Sequence, residues 1–519
     1  MRFEDLLEEL GGFSKFQFLV LLLLSLPRLI LPLHFLLHNF ISATPPHRCS
    51  TLGGLSSPLG TPTLEDGYPG SCEVFFNSSN TSTSTCPHGW IYDRSQFSST
   101  TATEWDLVCE DKKLNQAIAS YFFMGVMLGA ILFGQLSDKF GRRPMLLLSF
   151  CSSAVLGVAA AFSTSYTMFT IFRTLCGVAL TGMTITTLAL SVEWVGVTHR
   201  TFTGTIMSLA WSVGNMLLAL LAYFIRDWRH LMLVVTSPLI VAVASWWWIP
   251  ESARWLLVQG RVEEAQRYLD QCGKMNNKKT DCLDTETLRN LSGSSQTASY
   301  LDLVRTPGLR RISLCSGAVC FRLTGFGLNI YVTQFLFGAI EVPAKVGAYF
   351  LLNLIGRRNG QACFLMVTGG LIGVNAALPA DWEVLRACVA VVSKGFSEAS
   401  FTTAFLYTAE LYPTLLRQCG LGYTSFVGRA GGSLVPMVML LEDVWSPLPP
   451  LLFSLVGLIG GAFAFLLPET LDRPLAENIQ DIEEGRHMQI GGVQVEMQKM
   501  TSSSEDPPPE EHQCDHMSP

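Results

Sequence analysis

The stretch that decides the fold is Gly134–Arg143, which reads GQLSDKFGRR and joins two apolar blocks. A shortened copy, LNLIGRR, follows at Leu352–Arg358 and also joins two apolar blocks. In the copy, Asn353 stands where the first stretch has Asp138. The recurrence predicts that the chain contains two related halves.

Two further markers follow each copy at matched distances. Each copy is followed by a glutamate with an arginine seven residues later, and then by a Pro-Glu-Ser or Pro-Glu-Thr string, at Glu193, Arg200, Pro250, Glu410, Arg417 and Pro468. Counted from Gly141 in the first half and from Gly356 in the second, the glutamate follows after 52 and 54 residues. The proline follows after 109 and 112 residues. The same order at nearly equal spacing indicates a parallel repeat.

Apolar blocks of about 20 residues surround these markers. A helix of that length, at ~1.5 Å per residue, spans the ~30 Å hydrocarbon core of a bilayer. The blocks lie near 17–38, 115–136, 145–163, 167–190, 202–224, 231–249, 312–331, 333–355, 361–380, 384–408, 420–441 and 447–467. Charged residues form only 15% of the 519-residue chain, against about 25% in soluble domains, so a set of soluble domains is excluded. The predicted fold class is an all-α polytopic membrane protein with two six-helix bundles around a cavity.

The predicted organisation has four parts. Residues 1–249 form the N-terminal six-helix bundle with an extracellular loop at 40–112, residues 250–311 a cytosolic linker, and residues 312–469 the C-terminal six-helix bundle. Residues 470–519 hold eleven acidic and three basic side chains, a balance of −8, so the rest of the chain sums to +1 within the overall −7. This last segment has too little apolar surface to offset the entropy of ordering, and it is predicted to be a disordered acidic cytosolic tail.

Lysines and arginines are divided unevenly between the loops. Two occur in residues 40–110, whereas ten occur in residues 250–311. Because basic loops remain on the cytosolic side, the first loop is predicted to be extracellular and both termini cytosolic. The chain is therefore predicted to be a multi-pass protein of the plasma membrane.

The predicted extracellular loop contains two glycosylation sequons and four cysteines. The sequons make Asn77 and Asn80 candidate acceptors. The cysteines are an even number in an oxidising compartment and predict two disulfides, whose pairing the sequence leaves open. These cysteines are Cys49, Cys72, Cys86 and Cys109.

Acidic and basic side chains gather at the predicted cytosolic ends of the helices. Carboxylates and guanidiniums can form ion pairs there that latch an inner gate, and ~1 kcal/mol per pair suffices to bias a conformational equilibrium. The positive-inside rule explains the basic residues but not the acidic ones. The candidate latch residues are Asp138, Arg142, Arg143, Glu193, Arg200, Glu251, Arg357, Arg358, Glu410 and Arg417.

The strings GxLSDKFGRR, PESARWLL and ELYPTLLR resemble the major facilitator superfamily, and more narrowly the organic ion transporter family of solute carriers. Trp194 after Glu193 and the run Gly395–Pro413 are similar to its organic anion branch, and the opening FEDLLEELGGF is most similar to the type-two members. The resemblance covers residues 1 to about 483. It implies transport by alternating access, without sodium coupling, as facilitated diffusion or anion exchange.

Ionisable residues inside the predicted spans indicate the charge of the ligand, because such residues usually face a cavity. Six are basic and two acidic: Arg28, Arg173, Arg322, Lys345, Lys394 and Arg429 against Glu341 and Glu398. A spacing of four residues would let Lys345 pair with Glu341 and Lys394 with Glu398. The remaining positive surplus predicts an anionic substrate, since a cation carrier should instead contain an unpaired acidic residue near the midplane.

Lys345 and Arg429 lie near the middle of their predicted spans and are the first candidates for binding the anionic group. Arg429 offers a planar fork and Lys345 a point charge. The resemblance agrees, since organic anion carriers keep a basic residue in both the VPAK and the GRxGG motif. Arg28 is a further candidate, and a structural role is expected for Arg173.

An amphipathic organic anion also needs an apolar wall. The resemblance places Phe401 and Phe405 among the aromatic positions that line the cavity of the family. Trp211 and Tyr407 are available as well. Single aromatic residues in apolar helices more often serve packing than binding.

The seventh span is short. Only 45 residues separate Arg311 from Arg357, and the chain must cross the membrane twice between them. The string Gly325–Tyr331 resembles the family's outer turn, which leaves about 13 residues, or ~20 Å of helix, against ~30 Å of hydrocarbon. Arg322 then falls within the membrane. Either the helix is compressed and charged or the sequence lacks part of it, and the second interpretation is favoured.

The leading functional prediction is a carrier of organic anions. The resemblance extends the substrates to small carboxylates, purine metabolites and nucleotide-like anions, and the location to the basolateral face of a cell. The alternatives are a carrier of organic cations or zwitterions, and a transport-impaired isoform or non-transporting membrane receptor, which the short seventh span keeps open.

Enzymatic activity is not expected. The nine histidines show no metal-ligand or catalytic-triad spacing. The sequence has no GxxxxGK[ST] phosphate loop, which argues against direct coupling to ATP. No cofactor, metal or nucleic acid partner is predicted.

Overall fold

The structure is a computed structural model of the chain. The residues it describes are 3–50, 72–75, 83–86, 89–278, 288–289, 300–320, 330–379, 382–439, 441, 445, 447–473, 475–476 and 479–480. The candidate acceptors Asn77 and Asn80, the intramembrane Arg322 and the predicted tail beyond residue 480 lie outside the described residues.

Helices make up nearly all of the described membrane region. Those of the first half are α1 (Phe3–Glu9), α2 (Lys15–Phe35), α3 (His38–Ile41), α4 (Thr101–Glu104), α5 (Lys112–Phe140), α6 (Arg142–Ala161), α7 (Tyr166–Glu193), α8 (Arg200–Phe224), α9 (Trp228–Thr236) and α10 (Pro238–Ser245). The linker contains α11 (Ala253–Val258), α12 (Val262–Met275) and α13 (Asp302–Arg305). The second half contains α14 (Pro307–Cys320), α15 (Ile330–Ile355), α16 (Arg357–Ala377), α17 (Glu383–Leu411), α18 (Arg417–Met439) and α19 (Leu448–Ala464).

Within the described residues, eight helical segments are long and apolar enough to cross a membrane. They are α2, α5, α6, α7, α8, the continuous segment that contains α9 and α10, α15 and α16. With α14, α17, α18 and α19 they follow the predicted order of twelve. The 29-residue α17 is less apolar because Arg386, Lys394 and Glu398 lie within it. The all-α polytopic architecture is the one that the sequence predicts.

The two halves pack against each other through α5 with α18 and α8 with α15. Small residues permit the close approach: a Cβ at Gly422 of α18 would collide with the carbonyl oxygen of Ala130 on α5. The linker seals the same seam, since the hydroxyl of Tyr300 donates to that oxygen at 3.1 Å. The halves therefore meet along small-residue faces that can separate without unfolding either bundle.

The loop between α3 and α5 contains four short strands. The strand β1 (His47–Cys49) pairs antiparallel with β4 (Trp90–Tyr92), and β2 (Glu73–Phe75) with β3 (Thr83–Thr85). Disulfides join Cys49 to Cys86 and Cys72 to Cys109, which supplies the pairing that the sequence left open. His47 lies beside Cys109, but the second disulfide occupies both nearby sulfurs, so this group is not a metal site.

The N-terminal helix, the linker and the residues after α19 lie together at one end of the bundle, which we name the latch end. Asn276 after α12 donates to the carbonyl oxygen of Leu10 at 2.9 Å and accepts from the N–H of Phe16 at 3.0 Å. The backbone N–H of Thr414 donates to the carbonyl oxygen of Ala476 at 3.0 Å, and Leu475 is buried. The prediction of disorder from residue 470 onward is therefore wrong for these first residues, because Leu475 finds an apolar pocket.

The seventh membrane helix begins earlier than predicted. The helix α14 starts at Pro307 rather than near 312, and its 14 residues correspond to ~21 Å. Its partner α15 begins at Ile330, so Ile330 and Tyr331 of the predicted outer turn are helical. The remainder of that turn, 325–329, lies outside the described residues.

Candidate substrate cavity and latch

A narrow cavity lies between the two halves. It brings together five of the six predicted substrate-binding residues, from α2, α8, α15 and α17: Arg28, Trp211, Lys345, Phe401 and Phe405. The remaining wall is formed by Leu188, Gly204, Ser208, Thr402 and Leu406. The lining is therefore largely apolar with two cations, as an amphipathic anion requires.

The charge of Lys345 is already compensated. Its Nζ donates to Glu341 Oε2 at 2.8 Å, to Ser212 Oγ at 2.6 Å and to the carbonyl oxygen of Ser208 at 3.2 Å. Three acceptors match the three N–H bonds of an ammonium group. The spacing of four residues thus produces the pair that the sequence allowed, and this pair ties α15 to α8 across the two halves.

Arg28 has different surroundings. Its side chain is buried, with 7% exposure for the whole residue, and its guanidinium lies 5.6 Å from the centre of the Trp211 ring. Among the described residues, Nε and Nη1 have no hydrogen-bond partner. The positive charge of Arg28 therefore has no acidic side chain beside it within the described part of the chain.

Arg429, the other first candidate, lies behind the cavity wall. Its guanidinium stacks 4.7 Å from the ring of Phe35 and 5.6 Å from that of Phe123. The Phe35 ring in turn contacts Trp211, with 5.8 Å between ring centres. The cavity described above does not include Arg429, so in this conformation an aromatic layer separates its charge from the cavity lining.

The predicted aromatic wall divides into two parts. Phe401 and Phe405 lie one helical turn apart on α17, with 4.8 Å between ring centres, and both line the cavity. Tyr407 points elsewhere, and its hydroxyl donates to the carbonyl oxygen of Pro468. Tyr407 follows Phe405 by two residues, which is about 200° around the helix, so it faces away from the cavity.

The other intramembrane cations have structural surroundings. Arg173 donates to the carbonyl oxygen of His34 at 3.1 Å and lies 4.5 Å from the ring of Phe122. Lys394 pairs with Glu398 at 2.6 Å, again at a spacing of four residues. Neither cation lines the cavity between the halves.

The first copy of the repeated stretch forms a buried ion-pair network that crosses between the halves. Arg142 contacts Asp138 at 3.1 Å and Glu193 at 3.3 Å. The same Glu193 oxygen accepts from Arg417 of the second half at 2.7 Å. Asp138 also accepts from the backbone N–H of Cys419 at 3.0 Å. We name these residues the first latch.

The second copy forms a smaller network. Arg357 contacts Glu410 at 3.3 Å and reaches across to Thr201 Oγ1 of the first half at 2.7 Å. Glu410 also accepts from the hydroxyl of Thr470 at 2.6 Å. Asn353 is exposed and contributes no charge. We name these residues the second latch.

Each latch is braced by a carboxylate that caps the following helix. Glu251 accepts the backbone N–H groups of Arg142 and Arg143 at 3.0 and 3.1 Å. In the second half, Glu469 occupies the same place over Arg357 and Arg358, at 2.8 and 3.1 Å. A negative charge at a helix N-terminus is favourable because it meets unpaired N–H groups and the positive end of the helix dipole.

The repeated glycine is required by this arrangement. Gly141 and Gly356 have φ values of +101° and +85°, a region that disfavours residues with a side chain. A Cβ at either position would also collide with the capping carboxylate, Glu251 or Glu469. The repeated motif is thus a tight turn whose glycine lies against the capping carboxylate.

Arg143 and Arg358 take no part in the ion pairs. The guanidinium of Arg143 lies 4.4 Å from the ring of Trp246 and donates to the hydroxyl of Tyr268 at 3.1 Å. For Arg358, the backbone N–H donates to Glu469, while its buried Nε has no hydrogen-bond partner among the described residues.

Arg200 pairs with an acidic residue that the sequence reasoning missed. Glu4 of α1 contacts Arg200 at 3.1 Å and Arg254 of the linker at 2.7 Å. It also accepts from the backbone N–H of Leu475 at 2.9 Å. Burial alone would raise the pKa of Glu4, but the charge of Arg254, the Leu475 N–H and the charge of Arg200 outweigh it and lower the pKa from 4.5 to about 2. One ionised carboxylate therefore joins the N-terminus, the first half, the linker and the segment after α19.

Other functional residues were also outside the predicted set. Ser212 and Asn215 of α8 bind Glu341 at 2.7 and 3.3 Å and hold it beside Lys345. No periodicity in the sequence distinguishes these small polar residues from others in apolar helices. For Glu4, a signal existed: Arg200 and Arg254 both needed an acidic partner near the latch end.

Comparison with known proteins agrees with the fold. Residues 72–481 match the family described as sugar (and other) transporters. The chain is 16% identical to the major facilitator proton:xylose symporter XylE bound to 6-bromo-6-deoxy-D-glucose, covers 98% of that chain with 89% of its own, and superposes with a TM-score of 0.62. At this identity the likeness supports the fold alone.

Sequence relatives are much more similar. The chain is 46% identical to solute carrier family 22 member 7 of Sus scrofa and, likewise, of Homo sapiens, over 93% of this chain and 96% of each relative. It is 39% identical to solute carrier family 22 member 6 of Danio rerio, over 93% of this chain and 94% of the relative. The resemblance to the organic anion branch is thereby confirmed. The chain is a multi-pass membrane transporter rather than an enzyme, and it belongs to the sugar (and other) transporter family of the major facilitator superfamily and, within it, to solute carrier family 22.

Proposed function

We propose that the chain carries small organic anions across the plasma membrane through the cavity between its halves. The observation that carries the proposal is the composition of that cavity: an uncompensated guanidinium, a neutralised Lys345–Glu341 pair and an aromatic wall. A cation carrier would need an uncompensated acidic group at this place. Among the described residues, Glu341 beside the cavity is paired with Lys345.

Alternating access follows from the placement of the latches. Both latches join the halves at one end only, so breaking them lets the halves rock about the α5–α18 and α8–α15 contacts. We assign the latch end, with both termini, to the cytosol because the basic residues of the linker lie there. The described conformation is then closed toward the cytosol, with the disulfide loop outside the cell.

The substrates proposed within this class are small carboxylates, purine metabolites and nucleotide-like anions. These molecules combine one or two negative charges with a compact flat body, which suits a cavity lined by Arg28 and by the aromatic rings of Trp211, Phe401 and Phe405. Transport would proceed as facilitated diffusion or anion exchange without sodium, at the basolateral face of a polarised cell. Similarity to family 22 members supports this assignment.

Uptake in transfected cells tests the proposal. We expect labelled benzoate and labelled guanosine monophosphate to enter cells that express the chain, in sodium-containing and sodium-free medium alike. Labelled tetraethylammonium should not enter above the level of mock-transfected cells. Uptake of the cation, or uptake of anions that disappears without sodium, would contradict the proposal.

A chimera separates transport failure from a wrong substrate class. Residues 307–333 would be replaced by the corresponding segment of the Sus scrofa relative, which leaves the cavity residues unchanged. If the chain and the chimera both reach the cell surface and only the chimera transports anions, this chain is a transport-impaired isoform of an anion carrier. If neither transports anions, the anion assignment fails.

A further inference from the structure

We propose that Arg28 binds the anionic group of the substrate and that the Trp211 ring beneath it selects planar aromatic anions. This inference rests on the proposed function and deepens it. It reverses the order suggested by position along the spans, in which Lys345 and Arg429 come first. The reason lies in what surrounds each cation.

A substrate anion gains most from a cation that has no other partner. Lys345 is held by Glu341, Ser212 and the Ser208 carbonyl, so an anion could use its charge only by displacing an existing buried pair. Arg429 lies behind the Phe35 ring and does not line the cavity. Arg28 lines the cavity and keeps two nitrogens without a hydrogen-bond partner among the described residues.

Burial of the Arg28 guanidinium costs free energy unless a ligand supplies hydrogen-bond acceptors. A guanidinium in an apolar environment loses its hydration, and unpaired N–H groups add to that cost. Arg28 is nine-tenths buried, and its guanidinium lies 5.6 Å from the centre of the Trp211 ring, whose face attracts a cation. A carboxylate in the cavity would supply acceptors in the paired geometry that a guanidinium favours.

The aromatic residues add a shape requirement. Trp211 comes from the first half, and Phe401 and Phe405 come from the second half on α17. A flat ring can contact aromatic faces from both halves while its coplanar carboxylate meets Arg28. A puckered saturated ring of the same charge loses the aromatic contacts, which contribute beyond burial.

The test compares benzoate with cyclohexanecarboxylate, which has the same charge and carbon count but a puckered ring. In cells expressing the chain, we expect a KM for benzoate that is about 3- to 10-fold lower than for cyclohexanecarboxylate. The neutral amide benzamide should not inhibit uptake of either anion. These measurements establish the reference for three variants.

Arg28→Gln should raise the KM for both anions by about 10- to 100-fold, as expected for loss of a charge-assisted hydrogen bond, with a smaller change in maximal rate. Arg28→Lys should restore part of that loss, because it keeps the charge but not the planar fork. Trp211→Leu should reduce the preference for benzoate to about one. The matched control is Lys113→Gln, which removes a positive charge from an exposed position at the start of α5, outside the cavity; it should leave both KM values unchanged. Surface biotinylation normalises every rate.

The outcomes separate the two proposals. If the parent chain and the chimera described above take up neither anion at normal surface level, the proposed function fails. If benzoate is transported but both Arg28 variants keep the parent KM, the assignment of Arg28 is overturned while the proposed function stands. If neither Arg28 variant reaches the surface, the test is the preference of Trp211→Leu for benzoate over cyclohexanecarboxylate. A preference equal to that of the parent chain overturns the inference.

Discussion

The two latches come from the same repeated motif but hold the halves together to different extents. In the first latch, Glu193 accepts from Arg142 of its own half and from Arg417 of the other half. In the second latch, Glu410 forms an ion pair with Arg357 and accepts from the hydroxyl of Thr470, both in its own half. Only the first latch therefore has an ion pair between the halves within the described residues.

Two differences between the repeats explain why the latches hold the halves together to different extents. Asn353 replaces the acidic residue that Asp138 supplies in the first copy, so the second latch has one charge fewer. Arg200, the counterpart of Arg417, pairs with Glu4 of the N-terminal helix rather than with Glu410. The repeated motif thus produced two latches between the halves, of which only the first contains an ion pair that crosses between them within the described residues. The first latch should dominate the energy of the closed gate.

The largest expected effect is that of Glu193→Gln. The change leaves Arg142 and Arg417 as buried cations that have lost their shared carboxylate, a loss of about 3–5 kcal/mol. The gate should then open at the latch end. Cys419 is buried beside Asp138 in the closed form, so its rate of maleimide labelling should rise at least ~10-fold, measured as the difference from a Cys419→Ser control. An unchanged rate would contradict the assignment of a gate.

Glu4→Gln should have the next largest effect. It removes the carboxylate shared by Arg200 and Arg254 and the acceptor for the Leu475 N–H, so the N-terminal helix should detach and Cys419 labelling should rise about 5-fold. A matched control is Glu8→Gln, on an exposed position of α1.

The same residue predicts a pH dependence. The folded pKa of Glu4 is lowered from 4.5 to about 2, so its ionised form stabilises the closed gate above pH 4.5, and this contribution is lost as the pH falls toward 2. The thiolate fraction of Cys419 rises with pH in every variant, so the measured quantity is the ratio of the Cys419 labelling rates of the parent chain and of Glu4→Gln. In purified protein this ratio should stay constant between pH 6 and 8, and a ratio that changes within that range would show that Glu4 titrates near neutrality.

Glu410→Gln should weaken the gate less than Glu193→Gln. It leaves one arginine, Arg357, without its counter-charge, and Arg357 keeps its hydrogen bond to Thr201 across the halves. We expect Cys419 labelling to rise by about 2- to 3-fold. If Glu410→Gln opened the gate as much as Glu193→Gln, the two latches would be equivalent and the asymmetry would have no energetic meaning.

The smallest expected effect is a gain from Asn353→Asp. The new carboxylate would stand four residues before Arg357, at the spacing of Asp138 and Arg142. An added pair at this spacing is worth about 0.5–1 kcal/mol, so Cys419 labelling should slow by about 2- to 5-fold. Anion uptake should fall if gate opening limits the rate, and faster labelling would show that the second copy cannot use the restored charge.

The sequence alone was sufficient for the spans, the repeat and most of the cavity. Hydropathy and charge are properties of short segments, so α2, α5 to α8, α15 and α16 could be predicted to within a few residues. Five of the six predicted residues line one cavity. Depth along a span, which is set by counting residues, points to Arg28 and Lys345, whereas Phe401 and Phe405 follow from the resemblance to the family. The two pairs at a spacing of four, Lys345 with Glu341 and Lys394 with Glu398, also follow from local helix geometry.

Only the tertiary structure decided which charges meet across long distances in the chain. Glu193 pairs with Arg417 and Glu4 with Arg254, over separations of 224 and 250 residues, and such contacts depend on how the two halves and the linker dock. The same docking places Ser212 and Asn215 around Glu341, which compensates Lys345, and it leaves Arg28 Nε and Nη1 without a hydrogen-bond partner among the described residues. Residue type and depth could be read from the sequence, but the partner of each charge is a property of packing.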